Sequence, residues 1–354
     1  MKKKNKAIYL LFLMPFVYFA TACFVVWLVK TSGIYPSGSD TMYHVYRGDY
    51  VYNAIKSGNW YPLYDPAWYN GVEILRYWSP FPAYVMAFCQ YLAGGSQFGA
   101  YLFYIGGVCF LGACVWPFIG RGFNRPYLGA FIGLLWFFMP NNLCAIFIEG
   151  NLARSLSMIF LPVFIYSVYK YLYNHKLRYI PLMVFTFLLM ELCHLGYAGM
   201  VAIAVIIYGI VYMIQKGRKK AVLDVVISMI FGFMLLGIWL VASLRGGITS
   251  LDNSENMANF FQNLWITINP FERLTRGFEY FYFGFAALVV IVFGILFGYK
   301  KSRTGFVTGF IILLMTTKSA YAVLKHLPGS QYLWMLRFIS IALCMILMSF
   351  LMWD

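Results

Sequence analysis

The sequence predicts an all-α protein whose helices cross a lipid bilayer about ten times. Hydrophobic residues make up 62% of the 354-residue chain and charged residues only 11%, whereas soluble domains carry about 25% charged residues. Several stretches run for about 20 apolar residues without a charge, which is the length that a helix needs to cross the hydrocarbon core. A soluble protein of this size could not bury so much apolar surface, so we expect the lipid bilayer to be a partner.

The net charge of +15 fits membrane topology better than nucleic-acid binding. The basic residues form short clusters between apolar segments, as the positive-inside rule expects of cytoplasmic loops. No basic stripe is interleaved with aromatic residues on a polar face, so we predict no nucleic-acid partner. Seven scattered cysteines without a CxxC pair indicate neither a disulfide framework nor a zinc site.

The first predicted span covers residues 7–29 and follows the basic sequence MKKKNK. Its apolar run of about 23 residues is longer than the core of a signal peptide, which has about 7–15 residues. We therefore expect an uncleaved span with the N-terminus in the cytoplasm, in a multi-pass protein of the plasma (inner) membrane.

Further apolar segments lie at 79–93, 98–119, 126–142, 152–170, 178–194, 197–214, 221–243, 278–299, 304–324 and 332–352. Basic clusters separate some of them: Arg121/Arg125, Lys170/Lys176/Arg178, Lys216/Arg218/Lys219/Lys220 and Lys300/Lys301/Arg303. If 79–93 crosses the membrane, every one of these clusters falls outside; if it does not, every one falls inside, as the charge rule requires. Segment 79–93 is also short and proline-rich at its start, so we predict an interfacial or re-entrant helix there and ten crossings.

This topology leaves outer loops at 30–97, 141–151 and 244–277, within one polytopic domain of residues 1–354. We find no internal repeat and no soluble linker that would divide the chain. The sequence ends directly after an apolar span, which is compatible with its being the N-terminal part of a longer protein.

The first outer loop contains a candidate catalytic helix. Ser39 can cap a helix that runs to about Ser57, and Asp40, His44 and Arg47 then stand at i, i+4 and i+7 on one face. The alternative interpretation is structural, because the helix macrodipole alone favours an aspartate in the first turn.

The same loop is dense in tyrosine and tryptophan, with Trp60 and Tyr61 in the sequence Gly58-Asn59-Trp60-Tyr61-Pro62. Such residues suit a sugar-stacking surface, and they equally suit an aromatic belt at the membrane interface.

Further candidate residues follow in the other predicted outer segments. Glu149, Asn151 and Arg154 lie in the second outer loop, where the acid and the arginine could also form a structural salt bridge. His194 lies near the outer end of a span, where ionisable groups usually face a cavity or each other. Arg337 opens the last span, where a forked guanidinium suits a lipid phosphate or simply reaches the interface.

These features resemble the GT-C superfamily of membrane glycosyltransferases, in which a first span precedes a long outer loop with an early acidic residue and interfacial helices. More closely, the chain resembles a group of bacterial membrane proteins labelled 6-pyruvoyl-tetrahydropterin synthase-related. The resemblance is carried by Ser39-Asp40-x-x-x-His44-x-x-Arg47, Gly58-x-Trp60-Tyr61-Pro62, Glu149-Gly150-Asn151-Leu152-Ala153-Arg154, Glu191-Leu192-Cys193-His194-Leu195 and Trp334-x-x-Arg337-Phe338. A soluble pterin synthase needs a zinc-binding histidine cluster, and the scattered histidines here offer no site for that reaction.

The resemblance implies transfer of a sugar from a polyprenyl-phosphate carrier to a glycan, lipid or protein acceptor at the extracytoplasmic face of the cell envelope. Asp40 would act as general base, and Glu149 would orient the acceptor or join Asp40 around a divalent cation such as Mg²⁺ or Mn²⁺. The implied substrate-binding residues are His44, Arg47, Trp60, Tyr61, Asn151, Arg154, His194 and Arg337.

Two departures and two rival functions qualify this expectation. Many GT-C enzymes carry two adjacent acids in the first loop, whereas Asp40 is flanked by Ser39 and Thr41, which favours a single base over a metal. We also expect no outer soluble domain of the kind found in longer relatives within residues 1–354. A membrane transporter or lipid flippase is the main alternative, although no repeat supports it, and a non-catalytic assembly subunit is the other.

Overall fold

A computed structural model describes residues 2–36, 38–68, 70–245, 285–326 and 334–353, and within these ranges the chain is helical with no β-strand. This confirms the all-α membrane class. The helices are α1 (Lys2–Ser32), α2 (Thr41–Lys56), α3 (Ile74–Tyr77), α4 (Phe81–Leu92), α5 (Gln97–Gly122), α6 (Pro126–Trp136), α7 (Pro140–Phe147), α8 (Leu152–Asn174), α9 (Tyr179–Lys216), α10 (Lys219–Leu235), α11 (Gly237–Arg245), α12 (Phe285–Phe297), α13 (Lys300–Met315), α14 (Lys318–Leu324) and α15 (Phe338–Leu351).

Four helices in the described part of the chain are long and apolar enough to cross a bilayer: α1, α5, α8 and α9. Two bent pairs, α6 with α7 at 42° and α10 with α11 at 64°, raise this number to six if each pair is one span. Most of the predicted third outer loop, from residue 246 to 277, lies outside the described residues.

The 38-residue helix α9 reverses direction at His194, the one residue within it that has non-helical backbone angles (φ −158°, ψ 93°). Tyr179, at its start, packs against Tyr166 of α8 with ring centroids 5.9 Å apart. Tyr212, near its end, donates a hydrogen bond to the carbonyl of Leu172 at the same end of α8. The two halves therefore run antiparallel along α8, and they coincide with the apolar segments predicted at 178–194 and 197–214.

The basic clusters of the described chain meet at one end of the bundle. Lys170 donates a hydrogen bond to the carbonyl of Gly122, and Tyr173 donates one to the carbonyl of Lys301 at 3.1 Å. Arg218 lies beside His175, which follows the last residue of α8. We call this the basic end. We call the opposite end of α8, where the helix begins at Leu152, the site end. It lies about 35 Å from the basic end for a helix of this length.

Segment 79–93 forms α4, a helix of 12 residues that extends only about 18 Å and is too short to cross a hydrocarbon core. It packs on α2, where Met86 lies so close to Gly48 that a Cβ atom would not fit. The Gln90 amide donates a hydrogen bond to Asp49 of α2 at 2.6 Å. These contacts hold α2 and α4 together over the site end.

Candidate functional site

Two loops that are distant in sequence pair through their backbones at the site end. The amide of Asp40 donates to the carbonyl of Glu149 at 2.9 Å, and the amide of Ser39 donates to the carbonyl of Ile148 at 3.3 Å. The Ser39 hydroxyl also donates to the carbonyl of Glu149 at 2.9 Å. The prediction that Ser39 caps α2 is wrong. Asp40 is the N-cap residue and makes no side-chain cap bond, and the Ser39 hydroxyl bonds to the other loop.

Two glycines allow this close approach. Gly150 has φ +64°, a left-handed conformation that favours glycine. A Cβ atom on Gly150 would lie 2.6 Å from the backbone nitrogen of Thr41, and one on Gly38 would lie 2.7 Å from the Cα of Gly150. The loop pairing thus depends on the absence of side chains at both positions.

The Glu149 side chain holds two arginines. Its Oε2 atom lies 2.8 Å from Nη2 of Arg154 and 3.5 Å from Nε of Arg337. The Arg154 side chain is completely buried, and its Nε and Nη1 atoms have no hydrogen-bond partner among the described residues. Removing a guanidinium from water costs several kcal/mol, so the Glu149 carboxylate is needed to keep this cation in place.

Asn151 and His194 each cap a helix that begins at the site. The Asn151 Oδ1 atom accepts a hydrogen bond from the backbone N–H of Arg154 at 2.9 Å, in the first turn of α8. His194 caps the second half of α9 in the same way, because its Nδ1 atom accepts from the N–H of Tyr197 at 3.1 Å. The remaining side-chain nitrogens, Asn151 Nδ2 and His194 Nε2, lie 3.4 Å apart.

These elements enclose a cavity of about 420 Å³, within the size range of ligand sites. One face of α2 contributes Asp40, His44 and Arg47, as the spacing at i, i+4 and i+7 predicts. Asn151, His194 and Arg337 line the cavity as well. Glu149 and Arg154 do not line the cavity. Glu149 contacts Arg337, which does, and the Arg154 N–H bonds to Asn151, which does as well.

Trp60 and Tyr61 do not line this cavity. Trp60 is 71% exposed, and its carbonyl accepts a hydrogen bond from the hydroxyl of Tyr84 on α4. The structure therefore separates these two residues from the other candidates, and their predicted role in substrate binding has no support in the geometry.

Other aromatic residues form the cavity wall instead: Tyr43, Tyr77, Trp78, Trp239 and Trp334. The Arg47 guanidinium lies 4.3 Å from the ring centroid of Trp78, and that of Arg337 lies 4.6 Å from the centroid of Trp334. Such cation–π contacts hold a guanidinium in place over a ring. The sequence indicated dense aromatics in the first loop, but Trp239 and Trp334 lie far along the chain and only the fold brings them here.

The surroundings shift the titration of both ionisable groups at the start of α2. Burial raises the pKa of Asp40 above its ordinary value; Arg337 opposes this rise and Glu149 adds to it. Burial lowers the pKa of His44, and the neighbouring Arg47 lowers it further. His44 is therefore neutral at physiological pH, and Asp40 binds a proton more readily than an exposed aspartate does.

The site does not fit a divalent cation. The Glu149 carboxylate already pairs with two arginines, and the described residues contain no group of three or more histidine, cysteine, aspartate or glutamate side chains that could hold a metal ion. Of the histidines, His175 lies at the basic end beside Arg218, far from His44 and His194.

Comparison with known proteins supplies a family but no activity. Residues 75–354 match the family described as "6-pyruvoyl-tetrahydropterin synthase related domain; membrane protein". The matched range covers more than three quarters of the chain and includes Glu149, His194 and Arg337, while Asp40 precedes it. No curated protein and no solved structure matches the chain.

Proposed function

The chain belongs to the 6-pyruvoyl-tetrahydropterin synthase related family of membrane proteins, and from that premise we propose that it is a membrane glycosyltransferase. In this proposal it moves a sugar from a polyprenyl-phosphate carrier to an acceptor outside the cytoplasm. The observation that carries the proposal is one cavity, at the end opposite the basic clusters, which combines Asp40 with Arg337 and Arg47.

The distribution of charge supports the proposed orientation. Cytoplasmic loops of membrane proteins are enriched in lysine and arginine, so the basic end is the cytoplasmic end. The cavity then opens on the extracytoplasmic side of the plasma membrane, with the N-terminus in the cytoplasm. We also propose about ten crossings in a GT-C-like arrangement, with α2 and α4 at the outer interface.

Among the described residues that line the cavity, two arginines, Arg47 and Arg337, accompany one carboxyl group, Asp40, which supports an anionic ligand. Glu149 pairs with Arg154 and Arg337, and Arg337 and Arg47 both act on the carboxyl group of Asp40. Guanidinium groups bind phosphate oxygens through two parallel hydrogen bonds. A phosphate that is the leaving group of a sugar donor could bind to the arginines that line the cavity.

In the proposed reaction the acceptor hydroxyl oxygen attacks the anomeric carbon of the donor sugar. The new carbon–oxygen bond forms while the bond from that carbon to the carrier phosphate breaks, and its electron pair stays on the phosphate oxygen. Asp40 takes the hydroxyl proton, as a general base must when attack makes that proton acidic. Arg337 neutralises the leaving phosphate, and Glu149 acts as a positioning residue that holds Arg337 and Arg154.

A second, apolar groove supports a lipid-linked donor. It has a volume of about 1040 Å³ and lies between α1, α4 and α5. Helix α4 separates it from the polar cavity: Pro82 and Ala83 face the cavity, whereas Val85 and Phe88 face the groove. We propose that the polyprenyl chain lies in this groove while its phosphate reaches the cavity beyond α4.

The test is an assay of purified protein in liposomes with a radiolabelled polyprenyl-phosphate sugar. Consumption of the donor by wild type and its loss in Asp40→Asn support the enzyme. The matched control is Asp49→Asn on the same helix, which retains an oxygen to accept the hydrogen bond from Gln90 and should transfer sugar normally. Transfer at the wild-type rate by Asp40→Asn contradicts the assignment of the base, and flipping of the lipid without donor consumption favours the transporter alternative.

A further inference from the structure

We propose that Asn151 and His194 form a two-donor clamp for one oxyanion oxygen, and that this oxygen belongs to a phosphate group. This inference rests on the proposed function for the identity of the phosphate-bearing ligand. Its geometric part depends only on which atoms of the two side chains can donate and which can accept.

Backbone contacts fix the orientation of both side chains. A backbone N–H can only donate, so the atom that it meets must be an acceptor. The N–H of Arg154 meets Asn151 Oδ1 at 2.9 Å, which leaves the NH₂ group of Asn151 as the free end. The N–H of Tyr197 meets His194 Nδ1 at 3.1 Å, so Nδ1 carries no proton and the proton of the neutral ring is on Nε2.

The two free ends are therefore both donors, although they face each other at 3.4 Å. Two donors cannot satisfy each other, and they need an acceptor that both can reach. Asn151 is 4% exposed, His194 is half-buried, and both residues line the cavity, so a ligand in the cavity can reach both donors. An oxygen atom with a negative charge meets both donors best.

The helices behind the caps favour the same charge. Asn151 begins the 23-residue helix α8, and His194 begins the second half of α9. The N-terminus of a helix carries a partial positive charge and exposes N–H groups. Arg154, which is fully buried, lies in the turn that Asn151 caps, and Arg337 lines the same cavity as Asn151 and His194. A phosphate oxygen at the clamp would therefore lie near two cations.

Protonation of His194 would place a second donor on Nδ1, against the N–H of Tyr197, and would break the cap. The ring is therefore neutral and acts as a fixed donor, and it does not serve as a base. This assigns proton removal to Asp40 and phosphate recognition to His194, two roles that the sequence could not distinguish.

The test uses the full chain in lipid nanodiscs and measures binding of a polyprenyl phosphate, of the matching neutral polyprenol and of inorganic phosphate. His194→Asn keeps an oxygen near the Nδ1 position to cap Tyr197 and loses the Nε2 donor. Asn151→Asp keeps the capping oxygen, since aspartate is an equally good N-cap, and replaces the donor with a carboxylate. His175→Asn at the basic end is the matched control, because asparagine tolerates the left-handed conformation (φ +50°) found there.

We expect each clamp variant to weaken polyprenyl-phosphate binding by about tenfold or more, as the loss of a hydrogen bond to a charged group does. Binding of polyprenol should not change, and the control should behave as wild type. Inorganic phosphate separates the two sources of the group: if it binds alone and the same variants weaken it, the clamp is supported for free and lipid-linked phosphate alike. Wild-type affinity for polyprenyl phosphate in both clamp variants overturns the clamp even if the protein transfers sugar. Weakened binding in a protein that transfers no sugar supports the clamp and contradicts only the proposed function.

Discussion

The backbone N–H of Asp40 donates a 2.9 Å hydrogen bond to the carbonyl of Glu149, which joins two acidic residues that are 109 positions apart in the sequence. This bond places the start of α2 against the loop that precedes α8. The Asp40 side chain enters the cavity, while the Glu149 side chain turns to Arg154 and Arg337. Two carboxyl groups on paired loops thus have different surroundings, which is how proteins give similar acids different roles.

Substitution of Gly150 should separate these loops. A Cβ atom in Gly150→Ala would lie 2.6 Å from the Thr41 nitrogen, so the loop pairing must open. The matched control is Gly58→Ala: Gly58 also has a positive φ (+88°), but a Cβ there meets nothing within 4 Å. The control should lose only the stability that a left-handed backbone conformation costs a residue with a Cβ, about 1–2 kcal/mol. We expect a clearly larger drop in unfolding temperature for Gly150→Ala, and equal drops would contradict the role of the close approach.

Loss of the Glu149 charge should destabilise the whole protein. Glu149→Gln leaves the buried Arg154 without its counter-charge, which typically costs about 3–5 kcal/mol. Glu73→Gln removes the same charge from the partly exposed pair with Arg76 and should cost about 1 kcal/mol or less. Unfolding of both variants in detergent by denaturant measures the difference. Adding Arg154→Met should restore part of the stability of Glu149→Gln, and no recovery in the double variant would show that the pair is not the cause.

The sequence predicted those parts of the site that depend on local periodicity. The spacing of Asp40, His44 and Arg47 places their side chains on one face of a helix, whatever that helix packs against. The proline-led segment 79–93 is shorter than a helix that crosses a bilayer. Charge parity likewise placed the basic clusters together at one end, as the contacts of Lys170 and Tyr173 show.

The parts that depend on tertiary contacts could not be predicted. The hydroxyl of Ser39 can cap a helix or bond to a distant carbonyl, and only the position of Glu149 decides between these. Trp60 and Trp78 look alike in the sequence, yet the fold exposes Trp60 and directs Trp78 into the cavity. The sequence predicted a break between the segments 178–194 and 197–214, but it could not predict that His194 caps the second half of α9.

The proposed reaction should depend on pH through Asp40. Burial raises the pKa of this carboxyl, and only the ionised form can accept a proton. The turnover rate should therefore fall as the pH drops through the raised pKa, at a higher pH than about 4, where an exposed aspartate titrates. Above that pKa, Asp40→Asn should lower the rate by about a hundred- to ten-thousand-fold, and the difference should shrink at lower pH, where Asp40 of the wild type is itself protonated. A rate that is constant over the titration range of Asp40 would contradict its role as the base.

Cysteine labelling tests the orientation. Ser57 follows α2 at the site end and Lys176 follows α8 at the basic end, and both are exposed. We expect a membrane-impermeant maleimide to label Ser57→Cys in intact cells and Lys176→Cys only after permeabilisation. The wild-type protein is the control, because its cysteines are buried or half-buried apart from Cys23 within α1. Labelling of both variants from the same side would remove the basis for an extracytoplasmic site.

The apolar groove provides a test of the lipid carrier that leaves the polar cavity intact. Gly107 lines this groove on α5, and a Cβ atom there meets nothing within 4 Å. Gly107→Leu should therefore fold, fill part of the groove and raise the KM for a polyprenyl-phosphate sugar, while kcat at saturating donor stays close to wild type. Gly199→Leu is the matched control, since Gly199 has the same open surroundings on α9 but does not line the groove. Both substitutions replace a helical glycine with a better helix former, so a difference between them reports on the groove itself. If the two variants have the same KM, the polyprenyl chain does not lie between α1, α4 and α5.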